Sequence, residues 1–238
     1  MNPKSLLLES AQALGIALSE AQTDQFMQYL SLLLEWNEKM NLTAITDPVE
    51  VVQKHFIDCI SVLPHLDLQG GETMIDVGTG AGFPGVPLKI ASPALQVTLL
   101  DALQKRLTFL DTLTQSLDLY DVTLVHSRAE DGGQNPDLRE QFDLCVSRAV
   151  ANLAVLLEYC LPFVKVGGKL TALKGPDAAQ EIEQAQNALQ ILGGKVTAVI
   201  PITIPQTDLQ HQLVLVEKIA PTPQRYPRKA GKISKKPL

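Results

Sequence analysis

Apolar positions recur at helical spacing through the first seventy residues, and after Gly70-Gly71 they gather into short runs separated by amphipathic stretches. Leu7, Leu8, Ala11 and Leu14 predict a first helix, which Gly15 ends. Ser19-x-x-Gln22 has the form of a capping box and opens a second helix to about Met40. Phe26, Tyr29, Leu30, Leu33, Leu34 and Trp36 form its apolar stripe. Asp47-Pro48-x-Glu50 predicts a third helix start, with Asp as the cap and Pro in the first turn. Val51, Val52, Phe56, Ile57 and Ile60 would be its buried face. These stripes read as core packing rather than as a cofactor box.

Beyond residue 71 the strand runs are Thr73–Val77, Val97–Leu100, Val122–Val125, Phe142–Val146 and Lys169–Leu173. Helical stretches at Gln104–Leu117, Leu153–Phe163 and Ala178–Leu192 lie between or after them. Such alternation implies right-handed β-α-β crossovers and a parallel sheet. Val196–Ile200 and His211–Glu217 have only a Pro-interrupted loop between them, which predicts an antiparallel pair at one edge. The arrangement is that of an α/β, Rossmann-like class I methyltransferase: a mostly parallel seven-stranded sheet with a reversed edge strand and a helical N-terminal segment. The chain divides into a helical segment 1–70, a sheet domain 71–218 and a tail 219–238.

Composition changes this picture only in places. A hydrophobic fraction of 45% can fill a sizeable core. Cys59, Cys145 and Cys160 fall in apolar segments with no C-x-x-C and no metal-ligand cluster, so buried thiols in a reducing compartment are expected, and no metal. No apolar run approaches the ~20 residues needed to cross a bilayer, and the N-terminus has no basic leader; a soluble, cytoplasmic protein away from membranes is expected. Net charge is −6, but the segment 218–238 holds seven basic residues and no acidic one, leaving 13 basic against 26 acidic elsewhere. That asymmetry points to a nucleic-acid-facing arm, with a solvated tail as the plain alternative.

The chemistry lies in Thr73-Met-Ile-Asp-Val-Gly-Thr-Gly-Ala-Gly-Phe-Pro-Gly85. Glycines at 78, 80 and 82 let the chain turn sharply after a strand and approach a ligand closely. Pro84 suits the first turn of the helix that follows. Asp101 stands at the end of the next strand, 23 residues past Gly78, where a carboxylate can accept ribose hydroxyls. Gly80-x-Gly82-x-x-Gly85 formally fits a dinucleotide motif, yet starts two residues late. Asp76, two residues before Gly78, suits a cationic amino-acid tail better than a pyrophosphate. S-adenosylmethionine is the cofactor these residues favour, with a dinucleotide or a purely structural turn as alternatives. Asp76 is open between contact with that tail and duty as a helix cap.

Several motifs together resemble the GidB/RsmG methyltransferases. They are Asp76–Gly85, Ser127-Arg128-Ala129-Glu130, Ser147-Arg148-Ala149, Leu173-Lys174-Gly175, Trp36-Asn37 with Asn41-Leu42-Thr43, His55-Phe-Ile-Asp58, and the ending Tyr226-Pro-Arg-Lys-Ala-Gly…Ser234-Lys-Lys-Pro237. The resemblance covers nearly the whole chain. It implies methyl transfer from S-adenosylmethionine to guanine N7 in the 16S RNA of the small ribosomal subunit. The subunit or its assembly intermediate is the expected partner, and the protein is expected to be a monomer. Carried over, the cofactor positions are Gly78, Phe83, Asp101, Ala102, Leu103, Ala129, Glu130 and Arg148, to which Asp76 and Gly80 are added from the turn. RNA contacts are expected from Arg128, Lys174, His55, Arg228, Lys229, Lys235 and Lys236. Nothing stands out as a catalytic acid, base or cysteine nucleophile, which agrees with N7, whose lone pair needs no deprotonation. The rivals are a methyltransferase of another RNA, a protein or a small molecule, an NAD-dependent oxidoreductase, and a non-catalytic RNA-binding module.

Overall fold

The computed structural model describes residues 2–148 and 151–238. Asn2 caps helix α1 (Pro3–Ala13), whose buried face is Leu6, Leu7, Ser10 and Ala11; Leu8 instead faces solvent. Helix α2 (Glu20–Met40) begins at the capping box: Ser19 and Gln22 satisfy each other's backbone amides. It ends at Asn41 in the left-handed conformation. Asp47 accepts the amides of Val49 and Glu50 and so opens α3 (Pro48–Val51). The winding then widens to a π-helix over Val52–Ile57, a rare form frequent at functional sites, before closing as α4 (Asp58–Ile60).

The strands are β1 (Thr73–Val77), β2 (Gln96–Asp101), β3 (Val122–His126), β4 (Phe142–Arg148), β5 (Val164–Lys174), β6 (Gly194–Thr203) and β7 (Gln210–Lys218). They form one sheet in the order β3-β2-β1-β4-β5-β7-β6. Contacts among β1 to β5 are parallel, and β7 runs antiparallel to both β5 and β6. The reversed strand therefore lies one place in from the edge, and β6 is outermost. Its burial alternates along much of its length, as expected of a strand packed on one face. Strand β5 starts five residues before the apolar run that predicted it, through Lys165, Gly167 and Gly168.

The helices after the strands are α5 (Gly85–Ala91), α6 (Gln104–Ser116), α7 (Ala129–Gly132), α8 (Leu153–Cys160), α9 (Ala178–Gln184) and α10 (Gln186–Leu192). One face of the sheet packs against α1, α2, the π-helical stretch, α5 and α6. The other packs against α8, α9 and α10. The N-terminal helices share a core with the sheet, and α2 also satisfies its neighbours' backbone. Gln22 donates to the carbonyls of Ile90 and Ala91 at the end of α5, and Gln25 and Gln28 donate to those of Leu117 and Ser116 at the end of α6. These helix-terminal carbonyls would otherwise lack partners.

The tail is packed rather than free. Tyr226 is buried in the second core, and α11 (Ala230–Lys235) buries Ile233. Arg139, itself buried, donates to the carbonyls of Gly133, Thr222, Pro223 and Tyr226. Lys218, counted above with the tail's charges, is fully buried at the end of β7. It donates to the carbonyls of Leu161 and Val164 and pairs with Glu140 at 3.1 Å. The three cysteines are buried free thiols. Among the described residues no helix is long and apolar enough to cross a membrane.

Candidate functional site

The carboxyl ends of β1, β2, β3 and β4 converge on two adjoining cavities, the place where open α/β sheets bind ligands. Leaving β1, the chain passes through Gly78, Gly80 and Gly82, all at positive φ, and then a cis Phe83-Pro84 peptide. These glycines serve different ends. A Cβ on Gly80 would meet nothing closer than 4.0 Å, so this residue keeps the backbone open to the cavity. A Cβ on Gly82 would lie 2.7 Å from the Tyr29 hydroxyl, and one on Gly85 would lie 2.6 Å from Leu99, so both are packing glycines. Tyr29 fixes the turn from outside by donating to the Ala81 carbonyl at 2.5 Å.

Asp76 is fully buried, and its Oδ2 accepts the Thr79 hydroxyl at 2.7 Å and the Gly85 amide at 2.8 Å. It therefore anchors the start of α5 across the turn, with Pro84 one residue ahead of the helix. Burial pushes its carboxyl up to about 6, against the opposing pull of those two bonds. Its Oδ1 is buried without a partner. The Gly85 contact is the helix-cap duty open for Asp76.

The first cavity, about 270 Å³, is bordered by Gly78, Asp101, Ala102, Leu103, Ala129 and Glu130, together with Arg106, Arg128 and Tyr159. Asp101 Oδ2 accepts the Gly80 amide at 2.9 Å and Arg106 at 3.2 Å, and Oδ1 accepts the Leu103 amide at 2.8 Å. A carboxylate has roughly four acceptor positions, so capacity for a further hydroxyl remains. Glu130 lies on α7, and its nearest cation, Arg128, is 3.9 Å away. Glu130 also borders an outer cavity of about 440 Å³ formed with the tail's Arg225, Arg228, Lys229 and Lys232.

The second cavity, about 400 Å³, shares Gly78 and Arg106 with the first and adds Leu42, Thr43, His55, Gly80, Phe83 and Arg148. Phe83 does not offer a bare face: Tyr29 and His55 stack on it at 5.4 and 4.5 Å, and the Arg148 guanidinium lies 5.1 Å from its centroid. Arg148 ends β4 and is held by Asp58 Oδ2 at 2.9 Å and the Lys54 carbonyl at 3.0 Å. It reaches His55 Nδ1 at 3.1 Å. Burial, and then this cation, push the His55 imidazole down to about 4. The ring is thus neutral at pH 7, and its Nε2 lies 2.8 Å from Thr43 Oγ1.

The cations expected to meet RNA fall into two groups. Arg128, Lys229, Lys235 and Lys236 are exposed. Arg228 and Lys174 are committed to the fold: Arg228 pairs with the fully buried Glu158, and Lys174 binds Glu181 at 2.7 Å and the Ala151 carbonyl at 2.8 Å. Each of these two already neutralises a carboxylate within the fold. Ala149 of the Ser147-Arg148-Ala149 motif lies outside the described residues. Sequence reasoning missed Arg106, which links the two cavities, and Asp58, which holds Arg148. The signals available were a basic residue five positions past Asp101 and an acid inside the His55–Asp58 motif.

A sheet of this order, with a glycine turn after β1 and joined cavities at its carboxyl edge, defines a class I methyltransferase. A SAM-dependent methyltransferase from Aquifex aeolicus shares the fold: TM-score 0.55 over 75% of this chain and 97% of that one, at 19% identity. The chain belongs to the GidB family, described as rRNA small subunit methyltransferase G, whose model matches residues 22–210. Over 238 residues, all of both chains, it is 53% identical to the ribosomal RNA small subunit methyltransferase G of Alkaliphilus metalliredigens. It is 52% identical to that of Clostridium beijerinckii, over 98% of each.

Proposed function

We propose that the chain transfers the methyl group of S-adenosylmethionine to N7 of a guanine in 16S RNA of the small ribosomal subunit or its assembly intermediate, working as a cytoplasmic monomer. The observation that carries the reading is the division of labour between the two cavities. The first presents carboxylates, Asp101 and Glu130, suited to ribose hydroxyls and the adenine amino group, with Ala102, Leu103 and Ala129 as its wall. Gly78 and Gly80 border the passage into the second. The cofactor supplies an electrophilic methyl on a sulfonium centre.

The second cavity would receive the base. None of the described residues lining it is a carboxylate. His55, its one imidazole, has Nδ1 3.1 Å from the Arg148 guanidinium, and burial and that cation push the ring down to about 4, so it is a poor acceptor for a proton from substrate. A site with no free proton acceptor suits a nucleophile that needs none, and the in-plane lone pair of guanine N7 meets that requirement. Catalysis then rests on placing N7 in line with the methyl and on electrostatic matching as charge leaves sulfur. Arg128, Lys229, Lys235 and Lys236 remain to meet phosphates, a contribution that salt weakens.

Mass spectrometry of nuclease-digested 16S RNA from cells with and without this gene tests the reading. Loss of one 7-methylguanosine without the gene is expected; its retention would remove the substrate assignment. Calorimetry with S-adenosylmethionine tests the first cavity separately, and tight uptake of NAD in its place would overturn it.

A further inference from the structure

Asn37, Thr43, His55 and Asp58 belong to sequence motifs that cofactor binding leaves unexplained. In the structure they form one hydrogen-bonded chain that ends at the second cavity. Its polarity follows from chemistry. A guanidinium can only donate, so Arg148 Nη2, 3.1 Å from His55 Nδ1, requires a lone pair on that nitrogen. The Lys54 carbonyl also lies 3.1 Å from Nδ1 and could accept a second proton besides that of Arg148 Nη1, but the full charge of the guanidinium outweighs the carbonyl dipole at that nitrogen and holds the lone pair there. The neutral ring must then carry its hydrogen on Nε2 and donate it to Thr43 Oγ1 at 2.8 Å. Thr43 Oγ1 also accepts the Ile45 amide at 3.1 Å. A hydroxyl has two lone pairs and one proton; both lone pairs are spent, and only the proton remains to offer. Asp58 Oδ2 fixes one end of this chain at Arg148, and Asn37 Oδ1 fixes the other by accepting the Thr43 amide at 2.8 Å.

We propose that Thr43 is a specificity-determining residue: its hydroxyl, held as an obligate donor by the Arg148–His55 relay, hydrogen-bonds O6 of the target guanine. The proposal rests on the guanine-N7 reading above. O6 is the acceptor beside N7 on the edge that must face the methyl donor, whereas adenine presents an amino donor there. Donor against donor leaves two polar groups unpaired, which is how a site rejects a base strongly. Thr43 thus selects among purines, while His55 and Arg148 position it.

The test is a cycle of enzyme and substrate changes. Small subunits are reconstituted on 16S RNA carrying either guanine or 2-aminopurine at the methylated position. 2-Aminopurine keeps N7 and the 2-amino group but lacks O6. The unaltered enzyme should prefer guanine by about tenfold in kcat/KM, the scale of one lost hydrogen bond. Thr43→Val should lose about that factor on guanine and show no preference between the two bases, with its affinity for S-adenosylmethionine unchanged. Thr43→Ser, which keeps the donor, should restore the preference. A Thr43→Val enzyme that still prefers guanine, or an unaltered enzyme with no preference, overturns the proposal. Thr43→Ala repeats the cycle if the valine variant loses cofactor affinity. Failure of the unaltered enzyme to methylate either substrate would instead strike at the guanine-N7 reading itself.

Discussion

Replacing Arg228 with Met keeps most of its aliphatic reach and removes its charge. The partner, Glu158, is fully buried on a helix that is otherwise apolar except for Tyr159. Its carboxylate accepts Arg228 Nε at 2.8 and 3.2 Å and Nη2 at 2.6 Å. After substitution only the bond from the backbone amide of residue 228, at 2.8 Å, would remain. Breaking a buried pair by removing one partner costs about 3–5 kcal/mol. Arg228 keeps 21% of its side chain exposed, so water softens the loss and the lower end, about 3 kcal/mol, applies. In a chain of this size each kcal/mol moves Tm by about 2–4 °C, giving a fall of roughly 6–12 °C. Thermal melts at pH 7 followed by near-ultraviolet circular dichroism read this directly. The double variant Glu158→Leu with Arg228→Met should recover most of the loss, because it removes the stranded charge as well as its partner. A Tm within about 2 °C of the unaltered protein for Arg228→Met, or a double variant no better than the single, refutes the argument.

The two glycine classes predict opposite losses. Gly80→Ala should weaken S-adenosylmethionine binding at a folding cost of about 1–2 kcal/mol, from the positive φ alone. Gly82→Ala adds overpacking against Tyr29 and Val86 and should cost about 3 kcal/mol or more in chemical denaturation. Nitrogen NMR should show His55 as the Nε2–H tautomer with a midpoint near 4; a midpoint above 6 contradicts the relay. Because the unfolded chain binds this proton more readily than the folded one, the His55 contribution rises with pH between about 4 and 6.5 and is lost on acidification through that window. Asp76, raised from 3.8 to about 6, acts in the opposite sense, so His55→Gln should leave stability falling as pH rises across the same range. Replacing Lys229, Lys235 and Lys236 together with Gln should lower RNA affinity and reduce its salt slope by about 1 per lysine, with Tm unchanged; an unaltered slope removes the tail from the interface.

Periodicity and turn chemistry made much of this fold legible in the sequence. The capping box at Ser19 and Gln22, the Asp47 cap and the five parallel strands depend on local pattern, and local pattern is what a single chain displays. Local pattern does not show where a polar residue serves a distant partner. Gln22, Gln25 and Gln28 sit on the polar side of α2 by periodicity, yet each satisfies a carbonyl far along the chain. Glu158 and Lys218 look like surface charges, and their burial follows from Arg228 and Glu140, which topology alone brings near. Glu158 stands within a run of apolar residues, and that was the one available hint that it needed a buried partner. In the site, Gly78 and Asp101 were readable from spacing. The order of donors from Arg148 through His55 to Thr43 was not, because it depends on contacts between residues 55 and 148.

The glutamines of α2 also bear on how the chain is made. The second helix leaves the ribosome early, but the carbonyls that receive Gln22, Gln25 and Gln28 lie 68 to 92 residues later in the chain. Until about residue 117 has emerged, the greasy stripe of the nascent helix has only α1 and the Phe56 ring to settle on, not the rest of its core. Growing chains should accordingly stay sensitive to protease and attractive to chaperones over that interval, and acquire resistance in one step once α6 is complete.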